Sequence, residues 1–172
     1  SSSLSKIENN CIADRTKKKR YTSTNVAFVQ WCHGNHPELL REELKTRLDQ
    51  NESETVPKKR LKQSKEIIID GWLSKMEMSQ PQFCPLDMSM MTYDIIATYM
   101  SEKKTREGKY FARSTYDGIR SSFMNLYTMS NLTPPAGLRE RMTILLKGFK
   151  RSITQERVCL LYTSPSPRDA LE

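Results

Sequence analysis

The chain has 172 residues, 37% of them hydrophobic and 28% charged, and its 28 Lys and Arg outnumber 20 Asp and Glu for a formal net charge of +8. That length suits one domain, or one domain with a basic arm, and so wet a composition predicts a modest core with long solvated segments. No apolar run approaches the roughly 20 residues needed to cross a bilayer, and no charged-then-apolar signal peptide opens the sequence, so the expectation is a soluble intracellular protein with no membrane partner.

In chain order, residues 1–21 are polar and end in Arg15-Thr16-Lys17-Lys18-Lys19-Arg20, and a disordered basic arm is expected there. A first helix should follow, capped by Ser23 or Thr24, with Val26, Phe28, Val29, Trp31 and Cys32 on its apolar side and Gly34-Asn35 as its stop. Pro37 has no amide hydrogen to satisfy and suits the first position of a second helix, with Leu39, Leu40, Leu44 and Leu48 as its stripe. Residues 50–63 read as a polar, mobile insertion containing Pro57-Lys58-Lys59-Arg60-Leu61-Lys62. Helical period returns from Ser64 to Ser79, with Ile68, Ile69, Trp72, Leu73 and Met76 on one side, and again from about Thr92 to Lys104, with Ile95, Ile96, Tyr99 and Met100. Arg106-Glu107-Gly108-Lys109 is a turn. Ser114 is expected to cap a helix burying Ile119, Phe123, Leu126 and Tyr127, and after Pro134-Pro135 a last helix should bury Leu138, Met142, Leu145, Phe149 and Ile153. With no convincing strand pair and no internal repeat, the prediction is an all-α fold, a small bundle of four to six helices occupying residues 22–156.

The charge is located. From Lys103 to Arg151 eleven Lys and Arg stand against Glu107, Asp117 and Glu140, so this segment alone carries the excess of the whole chain. Lys109, Arg113, Ser114 and Tyr116 gather cations, hydroxyls and free amides at a helix start, where a phosphate oxygen accepts hydrogen bonds. Arg120 lies one turn further, and Lys147, Lys150 and Arg151 extend the patch on the last helix. The partner this predicts is double-stranded DNA, with no small-molecule substrate. The bland alternative is a solvated surface. Two runs, Lys17, Lys18, Lys19, Arg20 and Lys58, Lys59, Arg60, Lys62, match nuclear import signals in an accessible, extended segment and predict a nuclear location, unless they are merely basic linkers.

Cys32, His33 and His36 are close in sequence, but a structural zinc site needs four ligands, usually with paired cysteines, so no metal is expected and Cys32 reads as a small core hydrophobe. Of the four cysteines Cys159 belongs to the adapter-like tail described below, and the remaining Cys11, Cys32 and Cys84 are scattered and odd in number, which argues against a disulfide framework. No phosphate-binding glycine loop, Ser-His-Asp order or carboxylate pair appears, so neither catalytic residues nor a cofactor are expected in this chain.

The segments Thr24-Asn25-Val26-Ala27-Phe28-Val29-Gln30-Trp31-Cys32, Pro85-Leu86-Asp87 ahead of residues 92–100, and residues 114–127 together resemble the helical core-binding domain of tyrosine recombinases, the SAM-like N-terminal half of phage integrases. The likeness is strongest to the divergent versions carried by cryptons and related eukaryotic mobile elements, which continue with a segment like Leu146-Lys147-Gly148-Phe149-Lys150-Arg151. It covers residues 21–156, and the insertion between Asn35 and Ser64 departs from the compact bacterial pattern. The resemblance implies a clamp half that wraps duplex DNA, alongside other recombinase protomers, for a separate C-terminal catalytic domain in which a tyrosine attacks the phosphate. It places the DNA-facing surface at Lys109, Arg113, Ser114, Tyr116 and Arg120. The alternative is a nuclear helical protein-interaction module whose basic face meets an acidic partner.

The order Cys159-Leu160-Leu161-Tyr162-Thr163-Ser164-Pro165-Ser166-Pro167-Arg168-Asp169 resembles the translation of a transposase adapter used for sequencing libraries. Residues 157–172 are therefore expected to be an adapter-derived, unstructured tail on a fragment of a longer protein, and Tyr162 is not taken as a nucleophile.

Overall fold

A computed structural model describes residues 2–52, 57–78 and 80–163, with side chains at 4–5, 21–52, 57–78 and 80–162. Among these residues there are six α-helices: α1 (Ser2–Asn35), α2 (Glu42–Glu52), α3 (Lys58–Glu77), α4 (Tyr93–Glu102), α5 (Arg113–Met129) and α6 (Leu138–Thr163). Three single 3-10 turns join them, and β pairing is limited to two isolated bridges. The all-α expectation holds, and no described helix is long and apolar enough to cross a membrane. The chain divides into two compact units, residues 1–91 with 121–134, and residues 92–120 with 135–172.

The first unit is built on α1 and α3, with α2 packed on α3. Phe28, Val29 and Cys32 from α1, Leu44 and Leu48 from α2, and Ile69, Leu73 and Met76 from α3 are buried, joined by Phe123, Leu126 and Tyr127. The edge of one ring meets the face of the other at Phe28 and Phe123, 4.5 Å between centroids. Trp31, Ile68 and Trp72, expected inside, are half-buried at the rim.

Helix boundaries differ from the sequence reading where long-range bonds intervene. The backbone of α1 passes through Ser23 and Thr24, so neither caps a helix start. The range of α1 begins at Ser2; of side chains before Tyr21 only Leu4 and Ser5 are described, both exposed, and those of Lys17, Lys18, Lys19 and Arg20 lie outside the described residues. Pro37 opens only a 3-10 turn, Pro37–Leu39, because Leu40 is extended (φ −76°, ψ 145°) and pairs with Leu86. The Asp87 N–H donates to the Leu39 carbonyl at 2.7 Å and the Arg41 N–H to the Pro85 carbonyl at 3.0 Å, and α2 starts after this tie. At the other end α2 reaches Glu52 and α3 begins at Lys58, so most of the expected polar insertion is helical. Lys, Arg, Leu and Gln are good helix formers, and Pro57 sits where a proline costs no hydrogen bond.

In the second unit α4 packs on α6. Ile96, Tyr99 and Met100 of α4, Tyr116 and Ile119 of α5, and Leu138, Met142, Leu146, Phe149 and Ile153 of α6 are buried, with Leu146 rather than Leu145 completing the stripe. Thr92 caps α4, its hydroxyl accepting from the Ile95 N–H at 3.4 Å. The turn after α4 is tight: the Thr105 N–H donates to the Lys109 carbonyl at 2.8 Å, the Gly108 N–H to the Thr105 carbonyl at 2.9 Å, and Gly108 takes φ +78°. Helix α5 starts at Arg113, which puts Ser114 inside the first turn instead of at the cap. Helix α6 continues to Thr163, so residues 157–163 are helical where an unstructured tail was expected. Val158, Leu160, Leu161 and Tyr162 are exposed on it, and the rest of that tail lies outside the described residues.

Candidate nucleic-acid interface

All eight residues expected to face DNA belong to the second unit. Helix α6 organises them. Its buried side carries Leu138, Met142, Leu146, Phe149 and Ile153, while Arg139, Thr143, Lys147, Lys150 and Thr154 follow one another at three- and four-residue steps on another face, with Arg151 flanking. Arg139, Lys147, Lys150 and Arg151 are exposed, and no carboxylate pairs with them among the described residues. Between Leu138 and Gln155 the only acidic residue is Glu140.

Helix α5 adds a cation to this face. The Arg120 guanidinium donates from Nη2 to Thr143 Oγ1 at 3.2 Å, and Thr143 Oγ1 donates to the Arg139 carbonyl at 3.0 Å. A half-buried arginine is thereby held alongside the α6 stripe. Arg113 is exposed but lies 3.6 Å from the carboxylate of Asp117 one turn on, which offsets part of its charge. Lys109 is exposed at the end of the tight turn, its N–H donating to Thr105 Oγ1 at 3.1 Å, and Ser114 is exposed as well.

Tyr116 corrects the sequence reading: it is buried and does not face solvent. Its hydroxyl donates to the Lys103 carbonyl at 2.7 Å and accepts the Phe111 N–H at 3.2 Å, and its ring stacks on Phe149 at 4.4 Å with 8° between planes. Burial keeps the phenol protonated above its ordinary range. Its role is to fasten the turn carrying Lys109 and not to touch a ligand. Sequence reasoning missed Glu156, whose carboxylate accepts the Tyr110 N–H at 3.1 and 3.4 Å. The available signal was its place on the inward stripe, three residues after Ile153. Three further cations are anchored over rings, Lys103 over Tyr99 at 5.8 Å, Lys104 over Tyr110 at 4.5 Å and Arg141 over Tyr93 at 3.8 Å.

The second basic run is corrected as well. Lys58, Lys59, Arg60 and Lys62 are exposed, yet they lie on α3, a helix and not an extended strand of chain. Cys32, His33 and His36 do not converge on one point. Cys32 is buried, and its thiol is pushed up to about 12, first by burial and second by the charge of Glu38. His36 places Nδ1 3.2 Å from Glu38. His33, which is buried, turns to α2: Nε2 lies 2.7 Å from Asp49 and Nδ1 3.9 Å from Glu52, whose carboxylate also meets the ammonium of Lys65. The two carboxylates approach opposite ring nitrogens, and the 2.7 Å contact of His33 with Asp49 ties α1 to α2.

No family model, curated protein or solved structure matches the chain. The functional reading therefore stands on this geometry and on the resemblance carried by the sequence.

Proposed function

We propose that the second unit holds duplex DNA by its phosphates, as the non-catalytic core-binding part of a crypton-like tyrosine recombinase acting in the nucleus. The observation that carries the reading is the Arg120 to Thr143 bond, which sets an α5 guanidinium beside the cationic stripe of α6. Cations spaced along a rigid helix suit a row of phosphates, because each contact releases condensed counterions and none demands a particular base. The catalytic tyrosine and its Arg/His set would then belong to a separate domain.

Fluorescence anisotropy on labelled duplex DNA tests this. Replacing Arg120, Lys147 and Lys150 together by Ala should weaken binding on the order of a hundredfold near 50 mM salt. Unfolding by urea should shift by no more than about 1.5 kcal/mol, since Lys147 and Lys150 are exposed charges that contribute little and Arg120 gives up one part-buried hydrogen bond. Wild-type affinity in the triple variant would exclude this surface, and a salt-independent interaction would favour a protein-binding module.

A further inference from the structure

In the first unit the inward stripe of α3 changes chemistry along its length. Ile69, Leu73 and Met76 are buried, and the same three- and four-residue spacing followed toward the helix start arrives at Lys65, Lys62 and Lys58. Where the core ends, lysines continue its face. With Gln30 of α1 and Leu61 they line a cleft of about 250 Å³, which shares Gln30 and Lys62 with a larger cleft of about 560 Å³ over Val26, Ala27 and Ile67.

Among the described residues the charges of the smaller cleft are only partly balanced. Lys65 meets Glu52, and the Gln30 amide donates to the Lys62 carbonyl at 3.4 Å, whereas neither Lys58 nor Lys62 has a carboxylate partner among the described residues. These two stand one turn apart on one helix, an arrangement in which like charges repel. Among the described residues, three ammonium groups and the Glu52 carboxylate at the smaller cleft leave an excess of two positive charges there. A phosphate monoester brings about 1.5 to 2 negative charges at neutral pH and three acceptor oxygens, which matches that surplus. Glu66, one turn after Lys62 on α3, and Asp70 also line the larger cleft, so a second anionic group on the same ligand would be repelled. A cleft of this volume admits a phosphoryl group and the atoms next to it, and not a double helix.

We infer that the cleft between α1 and α3 binds a phosphate monoester dianion, with Lys58 and Lys62 as its cationic donors and the rest of the ligand lying over Val26, Ala27 and Ile67. The site belongs to the first unit and is independent of the DNA-binding reading. The dianion can come from a free phosphorylated metabolite or from a phosphorylated side chain of another protein, and the chemistry at the lysines is the same.

The test is titration of the full chain at low salt with ethyl phosphate, with a short uncharged peptide containing one phosphoserine, and with dimethyl phosphate, a singly charged diester, followed by backbone amide shifts in α1 and α3. Saturable binding of the monoesters is expected with Kd on the order of 1 mM or tighter, with dimethyl phosphate about tenfold weaker. Lys58→Gln and Lys62→Gln should each weaken it about tenfold, while Lys59→Gln, next in sequence but outside the cleft lining, should not. Tighter binding of the peptide than of ethyl phosphate identifies a protein-borne phosphate, and equal binding a small molecule. Shifts that do not saturate, equal affinity for the diester, or full binding in a Lys58→Gln, Lys62→Gln double variant whose circular dichroism is unchanged would overturn the inference.

Discussion

Two buried tyrosines in this chain have opposite hydrogen-bond fates, and the difference is measurable. The Tyr116 hydroxyl has a donor and an acceptor, whereas the Tyr127 hydroxyl is buried with no partner among the described residues. Removing a satisfied buried hydroxyl orphans its partners, here the Lys103 carbonyl and the Phe111 N–H; removing an orphan costs nothing and relieves a desolvated group. Tyr116→Phe should therefore lose about 1–2 kcal/mol in urea unfolding, and Tyr127→Phe should be neutral or gain up to about 1 kcal/mol. Equal losses in both variants would mean that Tyr127 has a partner after all. Tyr116→Phe should also weaken DNA binding only modestly, because the ring stack on Phe149 persists.

Cys32 links burial to alkaline stability. Its thiol is raised from 9.0 to about 12 in the fold, so between those values the unfolded chain releases a proton that the folded chain keeps. A folded-state value above the unfolded one means that stability is complete below about pH 9 and falls as pH rises, by up to about 1.4 kcal/mol per pH unit from this thiol. Cys84, Tyr116 and Tyr127 are shifted in the same direction and add to the alkaline loss. Cys32→Ala should be less stable at pH 7, since it opens a cavity in the core, yet decline less steeply between about pH 9 and 11. Parallel pH profiles for the two proteins would remove the thiol from the account.

At the level of elements, α6 tests the helical reading directly. Gly148 lies in its interior, and a Cβ there would meet nothing within 4 Å, whereas Gly137 just before the helix takes φ +82°. Gly148→Ala should stabilise by about 0.5–1 kcal/mol, and Gly137→Ala should cost about 1 kcal/mol, as scored by thermal unfolding. A destabilising Gly148→Ala would mean that this turn is not helical or not free. The stripes of α4, α5 and α6 were legible in the sequence because a helix that buries one side repeats every three or four residues, and Ile96, Met100, Phe123, Leu126, Met142 and Phe149 all fall where that rule puts them. The break before α2 was not, since Leu39 and Leu40 are buried on either reading and the cause is a backbone pairing with residues 85–87 that leaves no local pattern. Tyr116 was misassigned for a related reason. Its neighbours in sequence are cations and hydroxyls, but its position three residues before Ile119 puts it on the buried side. The start of α3 was hidden by its own polarity, because a first turn of exposed Lys58, Lys59, Arg60 and Lys62 shows no hydrophobic period.

For the whole molecule the question is whether DNA would respond to net charge or to its placement. Of the eleven cations from Lys103 to Arg151, three are held over aromatic rings, Arg113 faces Asp117, and Arg106 and Lys109 sit in the turn after α4, which leaves Arg120, Arg139, Lys147, Lys150 and Arg151 as the set on or beside α6. If about four of these meet phosphates, log Kd should change with log salt at a slope near 3.6, so that raising salt from about 50 to 200 mM weakens binding roughly 150-fold. Replacing Lys147 and Lys150 by Gln should lower that slope by about two. Replacing Lys58 and Lys59 by Gln removes the same formal charge from α3 and provides the comparison. A long-range pull by net charge makes the two double variants equivalent at every salt concentration, while contacts made by the α6 stripe lower the slope only in the first. Equal slopes would therefore count against a located interface even if both proteins still bound DNA.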